Sequence, residues 1–326
     1  MRSRGALSLA LVISLVAAAC ASPAQRFTER VAALGLGTEM VAGTLFQHMV
    51  FRQARGASRT LHVYLDGDGT PWHLGRPTAD PTPRDPLVLE LMALDAGPSL
   101  YLGRPCYHGL AAEPPCASAL WTEARYSEEV VASLAAALRR ILDRGGVDRV
   151  VWFGHSGGGT LAVLLAPRFP ETAGVITVAA NLDIDGWADL HGYPHLTGSL
   201  NPARQPALPA GIYQRHYAGG KDRIVPAEIV ARGPIGPGTL RVIPSYDHLC
   251  CWTEIWPEIL AEVEGRAEPE ARRAKTDIRR AWRGLFQRPA RSRSAGRPSP
   301  CGLSGRCSPR GPGSWRSPRA RPGRPG

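Results

Sequence analysis

The chain has 326 residues, with 39 Lys and Arg against 28 Asp and Glu and a formal charge of +11. Ten arginines and no acid lie in residues 288–326, so only +1 of the +11 belongs to the other 287 residues; the basicity is a property of one tail and excludes reading the folded part as a nucleic-acid groove. The longest uncharged apolar stretch, Ala6–Ala19, has 14 residues, about 21 Å as a helix against roughly 30 Å of bilayer hydrocarbon, which excludes a polytopic membrane protein.

Arg2 and Arg4, the apolar run Ala6–Ala19 and the small residues Ala17, Ala18 and Ala19 form the three regions of a secretory signal ahead of Cys20. With Cys20 followed by Ala-Ser-Pro, the segment also resembles a bacterial lipoprotein signal, which implies a lipid on Cys20 and a membrane tether in the cell envelope. Ala17 stands where that pattern usually has Leu or Val, so simple secretion is the alternative. The expected organisation is a signal peptide over residues 1–19, one domain over 20–287 and a tail over 288–326, where 32 of 39 residues are Arg, Pro, Gly or Ser. Such a tail has too little apolar surface to fold. Export implies an oxidising compartment. Cys106 and Cys116 flank a Pro- and Gly-containing loop with little core of its own, and are the first choice for a disulfide. Cys250 and Cys251 lack metal-ligand spacing and read as buried structural cysteines.

In chain order, the spacing predicts strands at Thr44–Arg52 and Thr60–Leu65, a helix over Asp85–Ala96 and a strand at Ser99–Leu102. A helix opens at Ser127, with Glu128 and Glu129 in its first turn and Arg139, Arg140 and Arg144 near its end. A strand at Arg149–Phe153, a helix at Thr160–Pro167 and strands at Val175–Val178, Ile212–Tyr217 and Leu240–Ile243 follow, then a helix at Thr253–Glu264. Near-continuous apolar strands separated by helices predict an α/β fold, a mostly parallel sheet covered on both faces, with sites at the carboxyl ends of strands. Residues 183–211 read as a short irregular lid.

Gly154-His-Ser156-Gly157-Gly158 follows the apolar run Val150–Phe153 and precedes a helix-capable run. This is the strand, tight turn and helix that project a serine above a sheet. A serine needs a base, and the base an orienting carboxylate. Asp222 and His248 each fall just beyond a predicted strand, on the same rim as Ser156. The elbow, the Asp in Gly-Lys-Asp222-Arg-Ile-Val-Pro and the late His resemble an α/β-hydrolase over residues 40–264. The resemblance implies a serine hydrolase with Ser156 as nucleophile, His248 as base and then acid, and Asp222 as orienting acid. Asp183 or Asp185 is the fallback acid. Asp247 adjoins His248 and cannot easily reach its ring; His155, His191 and His195 read as packing or pocket residues.

The same resemblance implies an oxyanion hole from the N–H of Gly157 and one in the loop Leu65-Asp66-Gly67-Asp68-Gly69, where that family commonly carries His-Gly. Asp68 is the choice and Gly69 the runner-up. The Asp66 and Asp68 carboxylates must then point away or be paired, with Arg76 or Arg104 as partners. That loop also resembles the Asp-x-Asp-Gly-Thr motif of haloacid-dehalogenase-type phosphatases, which implies Asp66 as nucleophile, Asp68 as acid/base and Mg²⁺ held with Asp183 and Asp185. The reading adopted is an exported hydrolase of the carboxylesterase kind, acting on a small-molecule acyl substrate without cofactor or metal. An acyltransferase with the same triad and a noncatalytic binding lipoprotein compete with it.

Overall fold

In the computed structural model, which describes residues 21–53, 55–56 and 58–266, the chain enters through helix α1 (Pro23–Ala33). Ser22 caps it in a capping box with Gln25, and Pro23 sits in the first turn, where its missing N–H has no partner to lose. Strands β1 (Gly37–Ala42) and β2 (Gln47–Gln53) follow as an antiparallel hairpin. The stretch Thr44–Arg52, expected to be one strand, is cut because the Gly43 N–H turns back onto the Phe46 carbonyl and pairing starts only at Gln47.

The rest of the chain alternates: β3 (Thr60–Leu65), a small hairpin of β4 (Trp72–His73) and β5 (Arg76–Pro77), α2 (Leu87–Ala93), β6 (Ser99–Leu102), α3 (Glu128–Leu142), β7 (Arg149–His155), α4 (Gly157–Leu165), β8 (Thr172–Val178), α5 (Ile184–His191), β9 (Tyr213–Gly219), α6 (Ala227–Ala231) and β10 (Leu240–Ile243). A last helix, α7, spans residues 252–266. Ser127 caps α3 as expected, accepting the Val130 N–H.

The main sheet has eight strands in the order β1-β2-β6-β3-β7-β8-β9-β10. β2 pairs antiparallel with β1 and β6, and every other pairing is parallel. Alternate residues of the central strands feed opposite faces. Val63, Leu65, Val150 and Trp152 pack with Leu134 and Leu138 of α3 and Leu161 of α4. Tyr64, Val151 and Phe153 pack with Phe27 of α1, Leu89 of α2 and Trp256 of α7. Burial on both faces explains why these strands read as unbroken apolar runs. The six strands β6, β3, β7, β8, β9 and β10 run parallel, so the loops that follow them share one rim.

Three local readings are corrected. Residues 183–211 are not wholly irregular: α5 forms because Asp183 accepts the Gly186 N–H at its start and Gly192 takes a left-handed φ of 67° at its end. Cys250 and Cys251 are bonded to each other, and Cys250 is exposed, because the turn that carries them lies on the rim before α7. Arg76 is exposed on the β4–β5 hairpin and pairs with neither carboxylate of the preceding loop. Cys106 and Cys116 form a disulfide with Cα atoms 5.6 Å apart. Cys20, the signal segment, Cys301, Cys307 and the basic tail lie outside the described residues.

Candidate active site

Ser156 is the single residue between β7 and α4, and it has φ 52° and ψ −122°. This conformation costs a non-glycine residue roughly 1–3 kcal/mol and persists only where the surroundings impose it. The Ser156 N–H bonds to the Val178 carbonyl at 3.0 Å, and its carbonyl accepts the Gly159 N–H at 3.0 Å. The helix presses so closely on β3 that a Cβ on Gly158 would fall 2.0 Å from the Leu65 carbonyl oxygen. Glycine is therefore required by contact, not by flexibility.

His248, on the loop after β10, places Nε2 3.1 Å from Ser156 Oγ and Nδ1 2.8 Å from Asp222 Oδ2. Asp222 follows β9 and is buried; its other oxygen accepts the N–H groups of Ile224 and Val225, each at 2.8 Å. An ionised carboxylate only accepts, so Nδ1 carries the imidazole proton and Nε2 is left to accept from the serine hydroxyl. The structure thus joins Ser156, His248 and Asp222 in one chain of hydrogen bonds.

A residue read from the sequence as packing or pocket holds the backbone of His248. His155 donates from Nε2 to the His248 carbonyl at 2.9 Å, and Trp252 donates from its indole to the same oxygen at 3.2 Å. Burial, reinforced by the neighbouring His248, lowers His155 to about 3, so its ring stays neutral, and the carbonyl it faces places its single N–H on Nε2. His191 bonds the Ile224 carbonyl and stacks on Tyr193, while exposed His195 pairs with Asp189. Asp247 accepts the N–H groups of Leu249 and Cys250 and does not bond the ring of His248.

The loop after β3 lies against the elbow: a Cβ on Gly67 would be 3.3 Å from Ser156 Cβ, and one on Gly157 would be 2.1 Å from Asp68 Oδ1. Asp68 is tied to three groups. Arg104 reaches Oδ1 at 2.5 Å, Arg125 reaches Oδ2 at 2.9 Å, and the Tyr126 hydroxyl donates at 2.7 Å. Burial alone would raise this carboxyl, but the Arg125 and Arg104 charges and the Tyr126 hydroxyl hold it well below the usual carboxylate range. Of the two arginines expected as partners, Arg104 is the one used; Arg125 and Tyr126 join it from the segment before α3. Within the described residues the N–H groups of Gly157, Asp68 and Gly69 donate to no protein acceptor.

Asp66 is buried on the other side of the loop. Its Oδ1 accepts the Gly67 N–H at 2.7 Å and its Oδ2 the Tyr101 hydroxyl at 3.4 Å. Burial pushes it up to about 7, with the Gly67 N–H, Tyr101 and Arg104 opposing. The phosphatase alternative requires Asp66 and Asp68 to share a cation with Asp183 and Asp185. Asp183 instead caps α5 and accepts from Asn201, and Asp185 pairs with Arg204 at 2.6 Å. Among the described residues no group of three His, Cys, Asp or Glu side chains converges to hold a metal. Asp183 and Asp185, engaged in this way, are also not the acid that meets His248.

Arg125, Tyr126 and Trp252 had no sequence signal. A carboxylate next to the elbow calls for a cation, but only the folded chain brings residues 104 and 125 to residue 68.

Residues 107–249 match the family model for the alpha/beta hydrolase fold. No curated protein sequence matches the chain. Among solved structures, the chain is similar to an esterase from Pyrococcus furiosus at 13% identity and a TM-score of 0.49, covering 72% of this chain and 90% of that one. It is also similar to a putative alpha/beta hydrolase from Agrobacterium tumefaciens (14% identity, TM-score 0.47, 72% and 98% covered). A third is mouse alpha/beta hydrolase domain-containing protein 10 (13% identity, TM-score 0.48, 72% and 99% covered).

Proposed function

We propose that the chain is an alpha/beta hydrolase in which Ser156, His248 and Asp222 act as a serine hydrolase triad that cleaves an ester or related acyl bond. The observation that carries the reading is the hydrogen-bonded line from Ser156 Oγ to His248 Nε2 at 3.1 Å and from Nδ1 to Asp222 at 2.8 Å, on a serine held at φ 52°. In this reading the Ser156 oxygen bonds to the acyl carbon as its proton passes to His248 Nε2. The Asp222 carboxylate faces the imidazolium that forms and is held in place by the two backbone donors on its far oxygen. The acyl oxygen gains negative charge toward the N–H groups of Gly157 and Asp68, which have no protein acceptor among the described residues. His248 then gives its proton to the departing alcohol, and a water repeats the sequence on the acyl-serine to release the acid and restore Ser156.

The role proposed for Asp68 is its backbone N–H; its side chain serves the loop. Held by two arginines and a tyrosine, it fixes the donor in advance, so that little reorganisation is needed as charge develops. The neutral His155 and Trp252 restrain the carbonyl of His248 and thereby the ring. Export through the segment 1–19, with a lipid on Cys20, belongs to the same proposal and rests on the leader's sequence pattern.

Labelling with a fluorophosphonate tests the chemistry. The parent chain is expected to take up one equivalent at Ser156, and Ser156→Ala none, with hydrolysis of short p-nitrophenyl esters falling at least about a thousandfold. Label retained by Ser156→Ala would end the assignment.

A further inference from the structure

Six of the ten large apolar residues most exposed among the described residues lie on loops or helices that follow the carboxyl ends of parallel strands: Trp72, Leu74, Leu190, Tyr193, Ile224 and Leu249. Contacts sort them into two groups. Trp187 and His191 both donate to the Ile224 carbonyl, which joins the α5 residues Leu190 and Tyr193 to the Asp222 loop. The Asp222–His248 bond brings Leu249 into the same group. The other group is the β4–β5 hairpin, which begins four positions after Asp68. Its neck is fixed by bonds from Thr78 N–H to the Pro71 carbonyl and from Thr78 Oγ1 to the Thr70 carbonyl.

The tip of that hairpin is unusual for a structural turn. Leu74 and Gly75 both have left-handed φ, 50° and 74°, a two-residue turn that favours Asn-Gly or Gly-Gly. A branched apolar side chain rarely adopts that conformation, yet Leu74 occupies it while 89% exposed, beside the half-exposed Trp72. His73 and Arg76, both exposed, flank it, and Lys221 and Arg223 are exposed beside Ile224 on the other group. The exposed cations Arg76, Lys221 and Arg223 outnumber the exposed acids Asp189 and Asp247 beside Leu190 and Leu249, a balance that suits an anionic lipid surface, where aromatic rings sit at headgroup level.

The N-terminus adds an independent placement. The Ala24 N–H bonds Asp80 Oδ2 at 2.9 Å, and Pro23 lines a surface cleft with His73 and Pro77. Cys20 precedes Pro23 by three residues, about 11 Å of chain at full stretch. A lipid carried there would enter a bilayer next to the hairpin, and lipid anchors hold firmly when a second apolar or basic element joins them.

The geometry points to the rim around Ser156 as a docking surface for a lipid bilayer, with Trp72 and Leu74 as its inserted tip; on the serine hydrolase reading, the substrate class is then an acyl ester resident in the membrane. Flotation with phosphatidylcholine–phosphatidylglycerol vesicles tests it on the full chain carrying Cys20→Ala, which removes the lipid site. That protein is expected to float with the vesicles, and the added pair Trp72→Ser and Leu74→Ser to lower the bound fraction at least about tenfold. Brominated phosphatidylcholine is expected to quench tryptophan fluorescence in the Cys20→Ala chain and to lose most of that quenching in Trp72→Phe. Equal flotation with and without the hairpin residues, or no flotation of either protein, overturns the proposal. Turnover of a soluble p-nitrophenyl ester, measured in parallel, reports on the triad alone. Its absence would end the hydrolase reading and leave the flotation result standing.

Discussion

Asp222 bonds the imidazole that meets Ser156 and Asp68 lies against Gly157, and the surroundings of these two carboxylates differ in kind. Among the described residues Asp222 has no basic side chain on it except His248; its charge rests on two backbone N–H groups and the imidazole. Asp68 is matched by two guanidiniums and a phenol. The first environment leaves a carboxylate whose strongest partner, an imidazole, can change charge during a reaction. The second fully compensates the charge, which suits a carboxylate that fixes a loop and does not suit one that attacks or relays a proton.

Replacing Asp222 by Asn is the most severe test of that contrast. The amide oxygen would accept the Ile224 and Val225 N–H groups, leaving an NH₂ to face His248 Nδ1 and forcing the proton onto Nε2. Such a ring cannot accept from Ser156. The expected result is a fall in kcat of about ten-thousandfold with thermal stability changed by less than about 1 kcal/mol. A loss below tenfold would show that Asp222 does not orient the base.

Asp68→Asn is expected to behave the other way round. Arg104 and Arg125 are 2% and 7% exposed at the side chain, so removing their shared counter-charge leaves two buried cations uncompensated. A loss of about 3 kcal/mol in urea unfolding is expected. The double variant Asp68→Asn, Arg125→Met should recover about 1 kcal/mol or more of it, because one of the stranded charges is gone. If Asp68→Asn unfolds at the parent's urea concentration, the cluster is not what holds the loop.

The contrast also marks how far the sequence could be read. The strand, serine and helix of the elbow, and the positions of Asp222 and His248 after their strands, are local or ordinal features, and the sheet order brings them together. The α5 helix carried ordinary start and stop signals in Asp183 and Gly192, but the Gly, Pro and His around them masked the pattern. The β1–β2 hairpin was hidden because its turn, 43–46, ends on the apolar pair Leu45 and Phe46, which resembles strand. The Asp68 cluster lay further from reach. It pairs residues 36 and 57 positions apart in the chain, and among many arginines nothing but the fold selects Arg104 and Arg125. The same holds for His155, whose bond to the His248 carbonyl spans 93 positions.

Asp66 supplies the smallest and most specific test, because it is the third carboxylate of the same region and has neither environment. Burial raises it to about 7, against opposition from the Gly67 N–H, Tyr101 and Arg104. Between its unfolded pKa near 4 and about 7, the folded chain therefore holds a proton that the unfolded chain has released. The stability this group contributes is complete below the unfolded value and is lost as pH rises through the folded one. Asn keeps the acceptor for Gly67 and cannot ionise, so Asp66→Asn should lack this loss. Measured as a difference from the parent, which cancels the buried histidines His48, His108, His155 and His216, the variant's advantage should grow by about 1.4 kcal/mol between about pH 6 and pH 8. Esterase activity should persist, because Asp66 touches neither Ser156 nor His248, whereas an enzyme using Asp66 as nucleophile would lose its activity outright. A pH-independent difference in unfolding would mean that Asp66 is already ionised in the folded chain, in which case the loop after β3 carries two charges against two arginines and the contrast with Asp222 would have to be redrawn around a four-charge cluster.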